Sequence, residues 1–466
     1  MITMKQCLLL SLLIFITSGL FASGLTEKKA TIKAKPGALS EEPIDYSGFE
    51  NDLSSAALRD VGASYTENNT SLMQAPIGTV VGTNTYDLQT NTGICRRVAL
   101  SANNTFVYTA WTYSNTYTLA SPDRGTGFNF YNRNTDVWQA APTSAIEQTE
   151  RTGWPNVGFT DLGRTFSVCH SIGNGLMFVW RDGNGSEWNE VAVGNIVGDP
   201  DGVWARSAID GTDIHVVISR FSSFGGVENG VNYIRSLDNG DTWEGMGGLE
   251  ADYTQSYGKM GADCYQIDAQ DGNVAVIFGD NLTEVNLYTS DNSGTSWNKN
   301  TLVSMSNPNV SYDPELGFYV DPYWGTHGGN TVIYDSNNQV HVVFSGALQF
   351  NSSDNDWVSN SMLFRLLNST ALWYWNENME EPEIIGKTVM NDNDADGVLG
   401  ADFNLVENVL TYTGDMVGQP LLAIDDQDNL YVSYSAHVDG NWQPESMDVI
   451  SYMGRSFEHN GFTCNR

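Results

Sequence analysis

The chain has 466 residues, with 22 Lys plus Arg against 56 Asp plus Glu and a formal net charge of −34. Such a surface repels phosphate backbones and anionic lipid, so nucleic acid is excluded as a partner, and a polyanionic ligand requires a local basic pocket. Cysteines are few and widely spaced, and no CxxC pair points to zinc or thiol redox chemistry.

The first 24 residues read as an export signal. Lys5 precedes the apolar run LLLSLLIF at 8–15, and Ala22-Ser23-Gly24 offers small residues for cleavage. The run is too short to span a bilayer, and nothing later is longer. The expected product is therefore secreted, extracellular or periplasmic, with no membrane span. Its removal leaves Cys95, Cys169, Cys264 and Cys464, which in an exported chain favour two disulfides in one of three connectivities. Residues 25–75 are rich in Ser, Glu, Ala, Lys and Asn and read as a low-complexity linker.

From about residue 76 the texture changes to short β-branched and aromatic runs between Gly, Asn and Asp turns, an all-β pattern. The runs TFVYTAW, TFSVCHS, DIHVVIS, NVAVIFG, QVHVVFS and NLYVSYS are alike. Anchored on Phe106, Phe166, Ile214, Val274, Val340 and Leu430, they recur at spacings of 60, 48, 60, 66 and 90 residues. Most follow an Asp-rich turn that itself follows a short apolar strand. Later in several units come a third strand, another turn and a strand carrying Trp. Four strands per repeat at this period predicts a six-bladed β-propeller of four-stranded antiparallel blades over 76–466. The sixth unit lacks a Trp strand. The segment TVVGTNTYDLQ at 79–89 precedes the first unit and is expected to supply the missing strand and close the ring. A Cys95–Cys464 disulfide would then lock the closure.

The turn before the Trp strand is SLDNGDTW in the third unit, with Ser236, Asp238, Gly240, Thr242 and Trp243 at offsets 0, 2, 4, 6 and 7. TSDNSGTSW in the fourth is read as the same box with one residue inserted, placing Thr289, Asp291, Gly294, Ser296 and Trp297 in those roles. Asp182 and Trp188 keep only its skeleton. SPDRGTGF at 121–128 precedes a third strand and is read as a coincidental loop. The Asp accepts from backbone N–H groups of its turn, the Gly permits positive φ, and the Trp buries a face between units. This box resembles the Asp-box, or BNR repeat, of the sialidase-like propeller superfamily. The resemblance implies that the box links third and fourth strands away from the ligand face. YDLQTN (86–91), RGTGFNF (124–130) and RTGWPN (151–156) also resemble secreted Bacteroidota propeller proteins of unassigned activity.

Membership of that superfamily does not imply its chemistry. A sialidase needs three arginines around the sugar carboxylate; in its Phe/Tyr-Arg-Ile-Pro position this chain has CRRVALS, where Arg96 or Arg97 stands without Ile-Pro. The other two arginines should come from later units, yet after Arg235 only Arg365, Arg455 and Arg466 occur. A polysaccharide lyase would use His and Tyr as base and acid. His215 and His341 share one place in two repeats, which repeat geometry explains without chemistry. Residues entering the innermost strands line the channel mouth, so Arg97, Trp154, Arg206, Asp263 and His327 are the candidate ligand contacts. NDNDADGVLGADF at 391–403 lies in the longest spacing, an insertion at about 350–410. Asp392, Asp394 and Asp396, with Asp402, present alternating carboxylates suited to Ca²⁺. No motif for an organic cofactor occurs. The expected role is glycan binding or surface interaction without a complete sialidase catalytic set. The alternatives are a glycoside hydrolase or polysaccharide lyase acting at the channel mouth, and a protein-binding propeller.

Overall fold

In the computed structural model, residues 79–86, 89, 96–116, 121–220, 223–224, 227–228, 231–249, 264–279, 284–304, 312–313, 318–319, 323–351, 363–387, 417–436 and 450–457 are described. Of these, the short hairpins, 323–324, 327, 347–351, 363–370, 387, 417, 435–436 and 450–457 are described by backbone alone. All belong to one unit, 74–401 with 412–466. The short apolar runs form antiparallel sheets, each a meander of consecutive strands. The first sheet holds Val98–Leu100, Phe106–Tyr113, Gly125–Asn132 and Val137–Trp138. The second holds Thr152–Phe159, Arg164–Ser171, Gly175–Asp182 and Asn189–Ala192. The third is built from Gly202–Asp210, Asp213–Arg220, Val231–Ser236 and Glu244–Gly248. The fourth has Tyr265–Gln270, Asn273–Phe278, Val285–Ser290 and Asn298–Val303. The fifth has Tyr323–Tyr334, Val340–Asn351, Leu363–Asn376 and Glu383–Lys387. The sixth shows Val417–Ile424, Leu430–Ala436 and Ile450–Phe457. Each sequence anchor lies in the second strand of its sheet, so the chain is an array of repeated antiparallel sheets resembling propeller blades.

The cores lie between successive sheets. Phe166, Val168 and Phe178 of the second pack with Ile214, Val216 and Ile234 of the third; Val217 and Tyr233 of the third pack with Val274, Val276 and Phe278 of the fourth. Each box tryptophan joins the sheet before its own. Trp243 meets Phe178 edge-on with ring centres 5.1 Å apart, and Trp297 meets Tyr233 at 5.0 Å. Inter-sheet burial of these rings is the role expected of them.

The third-sheet box has the expected bonds. Asp238 accepts from Ser236 Oγ at 2.9 Å, Thr242 N at 2.8 Å and Thr242 Oγ1 at 2.5 Å, while Gly240 N donates to Ser236 Oγ at 2.8 Å. The fourth-sheet box corrects the sequence reading. Gly294 N donates to Ser290 Oγ at 2.9 Å, and Asn292 Oδ1 accepts from Ser296 N at 2.9 Å. There is no insertion: Ser290, Asn292, Gly294, Ser296 and Trp297 fill the same offsets, and Asn292, not Asp291, is the acceptor. A neutral amide suffices because the acceptor serves backbone and hydroxyl donors. Glycine is required twice over at Gly240 and Gly294. Their φ values are 84° and 79°, and a Cβ would stand 2.5 Å from the Phe178 ring and 2.3 Å from Tyr233 respectively.

Two further expectations are corrected. The described part of 79–89 forms no strand. Thr85 N donates to Ser114 O at 3.0 Å, Asn129 Nδ2 donates to Val81 O at 2.6 Å, and Gly82 lies against the Trp111 ring, so this segment packs on the first sheet. The sixth sheet has three strands among the described residues. Cys169 is a buried free thiol whose Sγ lies 3.5 Å from Glu147 Oε1, which rules out a Cys169–Cys264 bridge. Burial first, then the Glu147 charge, raises its pKa well above the ordinary thiol range and keeps it protonated. Cys95 and Cys464 lie outside the described residues.

Candidate functional site

Arg96, Leu100, Phe159, Ile209, Ile267, Val332 and Leu422 line one cavity of about 1280 Å³. These residues are contributed by or adjoin the first strands of all six sheets. Across it Arg96 Nη2 of the first sheet's approach lies 3.3 Å from Asp268 Oδ1 of the fourth. Asp268 Oδ2 also accepts from Tyr334 N at 2.9 Å. Burial raises the Asp268 pKa, with Arg96 opposing.

The first strands share a feature that composition does not reveal. Near their starts the pairing register shifts between Gly153 and Asn156 in the second sheet, Val217 and Ser219 opposite Trp204 in the third, Thr326 and Asn330 in the fifth, and Gly418 and Leu421 in the sixth. At the bulges the backbone turns left-handed: φ is 53° at Trp154, 58° at Trp204, 95° at Gly328 and 52° at Gln419. Bulges re-aim side chains at strand ends, and a bulky residue at positive φ carries strain of the kind found at functional sites. The boxes and the turns between first and second strands lie at the opposite strand ends, roughly 20 Å away for a six-residue strand.

The bulge end of the second and third sheets holds a cluster around Trp154. Its indole is 6% exposed, and Nε1 has no hydrogen-bond partner among the described residues. The ring stacks on His170 with centres 5.5 Å apart. The Arg124 guanidinium lies 5.4 Å from the Trp154 ring centre and 5.5 Å from that of Tyr86, a cation–π arrangement. Arg124 Nε donates to Thr152 O at 2.7 Å. His170 Nδ1 accepts the Trp204 N–H at 3.2 Å, which fixes the proton on Nε2 and braces the second bulge. Burial, followed by the positive charges of Arg124, Arg206 and Arg151, pushes the His170 pKa down to about 3. This imidazole is neutral, and it acts as a strut.

Trp154 and Arg206 both lie near His170, but both are buried and neither lines the 1280 Å³ cavity. Arg206 is fully buried on the third sheet's first strand, with Nη1 donating to Ala205 O at 2.9 Å. Arg97 instead lines the channel and donates from Nη2 to Gln89 O. His327 is one residue before the Gly328 bulge, and its side chain lies outside the description. Asp263 and the acidic loop Asp392, Asp394, Asp396 and Asp402 also lie outside the described residues. Arg124, Arg151, His170 and Trp204 were missed. A signal existed for Trp204, since GW at 153–154 and VW at 203–204 both open first strands.

The His–Tyr pairs belong to the other end. His215 Nδ1 lies 2.6 Å from Tyr233 Oη, and His341 Nδ1 lies 2.7 Å from Tyr374 Oη. Arg235 lies near the first of them, but both imidazoles are buried and the arrangement repeats in two sheets, as structural geometry predicts.

No family model matches the chain, and no curated protein matches it. Among solved structures it is similar to an ulvan lyase of polysaccharide lyase family PL25 (13% identity, 79% of this chain and 82% of that one, TM-score 0.44). It is also similar to Trypanosoma rangeli sialidase in complex with the inhibitor DANA (12%, 79% and 55%, 0.39) and to the Aleuria aurantia lectin AAL in complex with Fucα1-6GlcNAc (9%, 78% and 97%, 0.37). These matches are distant. No helix among the described residues is long and apolar enough to cross a membrane.

Proposed function

We propose that this chain is an exported, six-bladed propeller that recognises an acidic saccharide at the bulge end of its channel. The observation that carries the reading is the Trp154 cluster. A strained tryptophan whose indole N–H has no partner among the described residues stacks on a histidine that feels the charges of Arg124, Arg206 and Arg151, in a protein of net charge −34. Long-range repulsion of an anion is screened beyond roughly 8 Å at physiological ionic strength, so close guanidinium groups decide local affinity. A sugar ring suits the half-buried Tyr86 beside Arg124, a sugar carboxylate suits Arg124, and the buried Trp154 backs the guanidinium. The lack of the Ile-Pro context at Arg96 and Arg97, and the use of His170 as a strut, favour binding over hydrolysis or elimination. In this reading Asp392, Asp394, Asp396 and Asp402 would hold Ca²⁺, and Cys95 would pair with Cys464.

The test is a glycan array followed by calorimetry on uronic-acid oligosaccharides and their neutral counterparts, with and without Ca²⁺. Acidic glycans should bind, and Arg124→Gln should weaken them about tenfold or more through loss of a charge-assisted contact. Equal binding of neutral glycans, or an unaffected Arg124→Gln variant, would refute the reading. Depolymerised products in the same samples would replace it with the enzymatic alternative.

A further inference from the structure

A second cavity, of about 510 Å³, lies between the outer parts of the first and second sheets. Phe128, Thr143, Ser144, Asn184 and Trp188 line it together with Arg181. Arg181 is the penultimate residue of the second sheet's third strand and is 8% exposed. Its guanidinium carbon lies 4.6 Å from the Trp188 ring centre, 5.0 Å from Phe128 and 5.6 Å from Phe130. These rings offset the positive charge with their π faces but supply no acceptor for N–H groups, which lie in the guanidinium plane. Nε and Nη2 have no hydrogen-bond partner among the described residues.

Two other arginines show what that edge is built for. Arg164 gives Nε and Nη2 to the carboxylate of Asp182 at 2.8 and 3.3 Å. Arg235 gives the same two atoms to Glu244 Oε2 at 3.1 and 3.0 Å. Of the carboxylates bordering the Arg181 cavity, Glu147 is engaged by Thr126 and Thr152, and Glu187 is exposed on the 183–188 loop. That loop is the degenerate box of the second sheet. It departs from the Ser-x-Asp-x-Gly pattern but keeps the tryptophan, and it supplies Asn184, Glu187 and Trp188 to the cavity wall.

We propose that this cleft is a second saccharide site, in which the Nε–Nη2 edge of Arg181 takes the carboxylate or sulfate of an acidic sugar whose ring lies on Trp188. The cavity falls within the size range of small-ligand sites. Thr143, Ser144 and Asn184 are placed to meet sugar hydroxyls. The assignment stands on different residues from the Trp154 cluster and does not depend on it.

The experiment follows the Trp188 indole N–H by NMR in the full chain, the signal being assigned with Trp188→Phe. Glucuronic acid and galactose 6-sulfate are the probes, and glucose is the neutral control. Either acidic sugar, or both, should shift the signal saturably in wild type and in Arg124→Gln, while glucose does not. Arg181→Met should weaken this roughly tenfold or more, as expected for loss of a paired charge in a dry site. Ser144→Trp, at an exposed position that leaves the core alone, should block it by filling the cleft. A Trp188 signal unmoved by both acidic sugars, moved equally by glucose, or moved equally in Arg181→Met and Ser144→Trp overturns the proposal. Loss of the shift in Arg124→Gln alone would assign the sugar to the Trp154 cluster and equally overturn it.

Discussion

The two ends of the sheets follow opposite rules. At the box end, polar groups close on their neighbours: Asp238 and Asn292 satisfy their turns, and His215 and His341 meet Tyr233 and Tyr374 in the same way. At the bulge end, Trp154 and Trp204 stand at positive φ, the Trp154 indole N–H has no partner among the described residues, and arginines gather around a neutral histidine. Repetition therefore marks what holds the sheets together. The places where one sheet departs from the others mark where a ligand is to be sought.

That contrast can be broken from either side. The largest effect is expected at the box end from Gly294→Ala, which adds left-handed strain to a clash with Tyr233. A loss of about 3 kcal/mol should appear in chemical denaturation, and a loss under about 1 kcal/mol would show that the turn is less constrained than described. Next comes acid sensitivity at the bulge end. His170 has a folded pKa of about 3 against an ordinary 6.5, so the unfolded chain binds its proton first. The stability His170 contributes is complete above about 6.5 and is lost as pH falls towards 3. His170→Phe keeps a ring against Trp154 and should move the acid-unfolding midpoint to lower pH; an unchanged midpoint would place the sensitivity elsewhere.

A smaller effect separates charge from hydrogen bonding in the box. Burial raises the Asp238 pKa, but bonds from Thr242 and Ser236 outweigh it and hold the carboxyl below its usual value. Its contribution is present above the ordinary carboxylate pKa and disappears as pH falls through the folded value. Asp238→Ala should cost about 1–2 kcal/mol at neutral pH, whereas Asp238→Asn, which copies Asn292, should cost less than about half of that by thermal melts. The smallest change is expected from Asp268→Asn. It removes the ion pair with Arg96 and also a carboxylate whose pKa burial raises, so stability at neutral pH should move by less than about 1 kcal/mol. Because that pKa is raised, the Asp268 contribution is largest at low pH and declines as pH climbs through the folded value, so any gain from Asp268→Asn should vanish in acid.

The repeat was legible because the second strands, buried on both faces, read as similar short apolar runs between turn signals. The fourth box was misframed because TSDNSGTSW offers two adjacent acceptors, Asp291 and Asn292. Only the bond from Gly294 N to Ser290 Oγ fixes which one faces the turn. The 79–89 segment reads like a strand, but Gly82 gives it a flat approach to Trp111, and side-chain packing won over pairing. At the bulge end, the place of Trp154 and Arg206 on first strands was legible from the repeat. Arg124 was not, because a loop of the first sheet brings it there through a contact distant in sequence, whereas Arg151 stands three residues before Trp154 in RTGWPN and carried no motif of its own. Nor does a tryptophan at positive φ announce itself, as glycine does.

Asn156 occupies the position two residues after the Trp154 bulge. Its Oδ1 accepts from Arg96 N at 3.1 Å, and its Nδ2 donates to Ala205 O at 2.8 Å. Asn330, two residues after Gly328 in the fifth sheet, reaches back in the same manner to Cys264 O and Gly279 O, both at 2.9 Å. Each amide stitches its own sheet to the backbone of another, doing across a gap what a ladder bond does within a sheet. Modular arrays whose units touch only through side-chain packing can fray one unit at a time. With the backbone of three consecutive sheets sewn through one buried amide, the first three should melt in a single cooperative step, and replacing Asn156 with Leu should split that step before it lowers it.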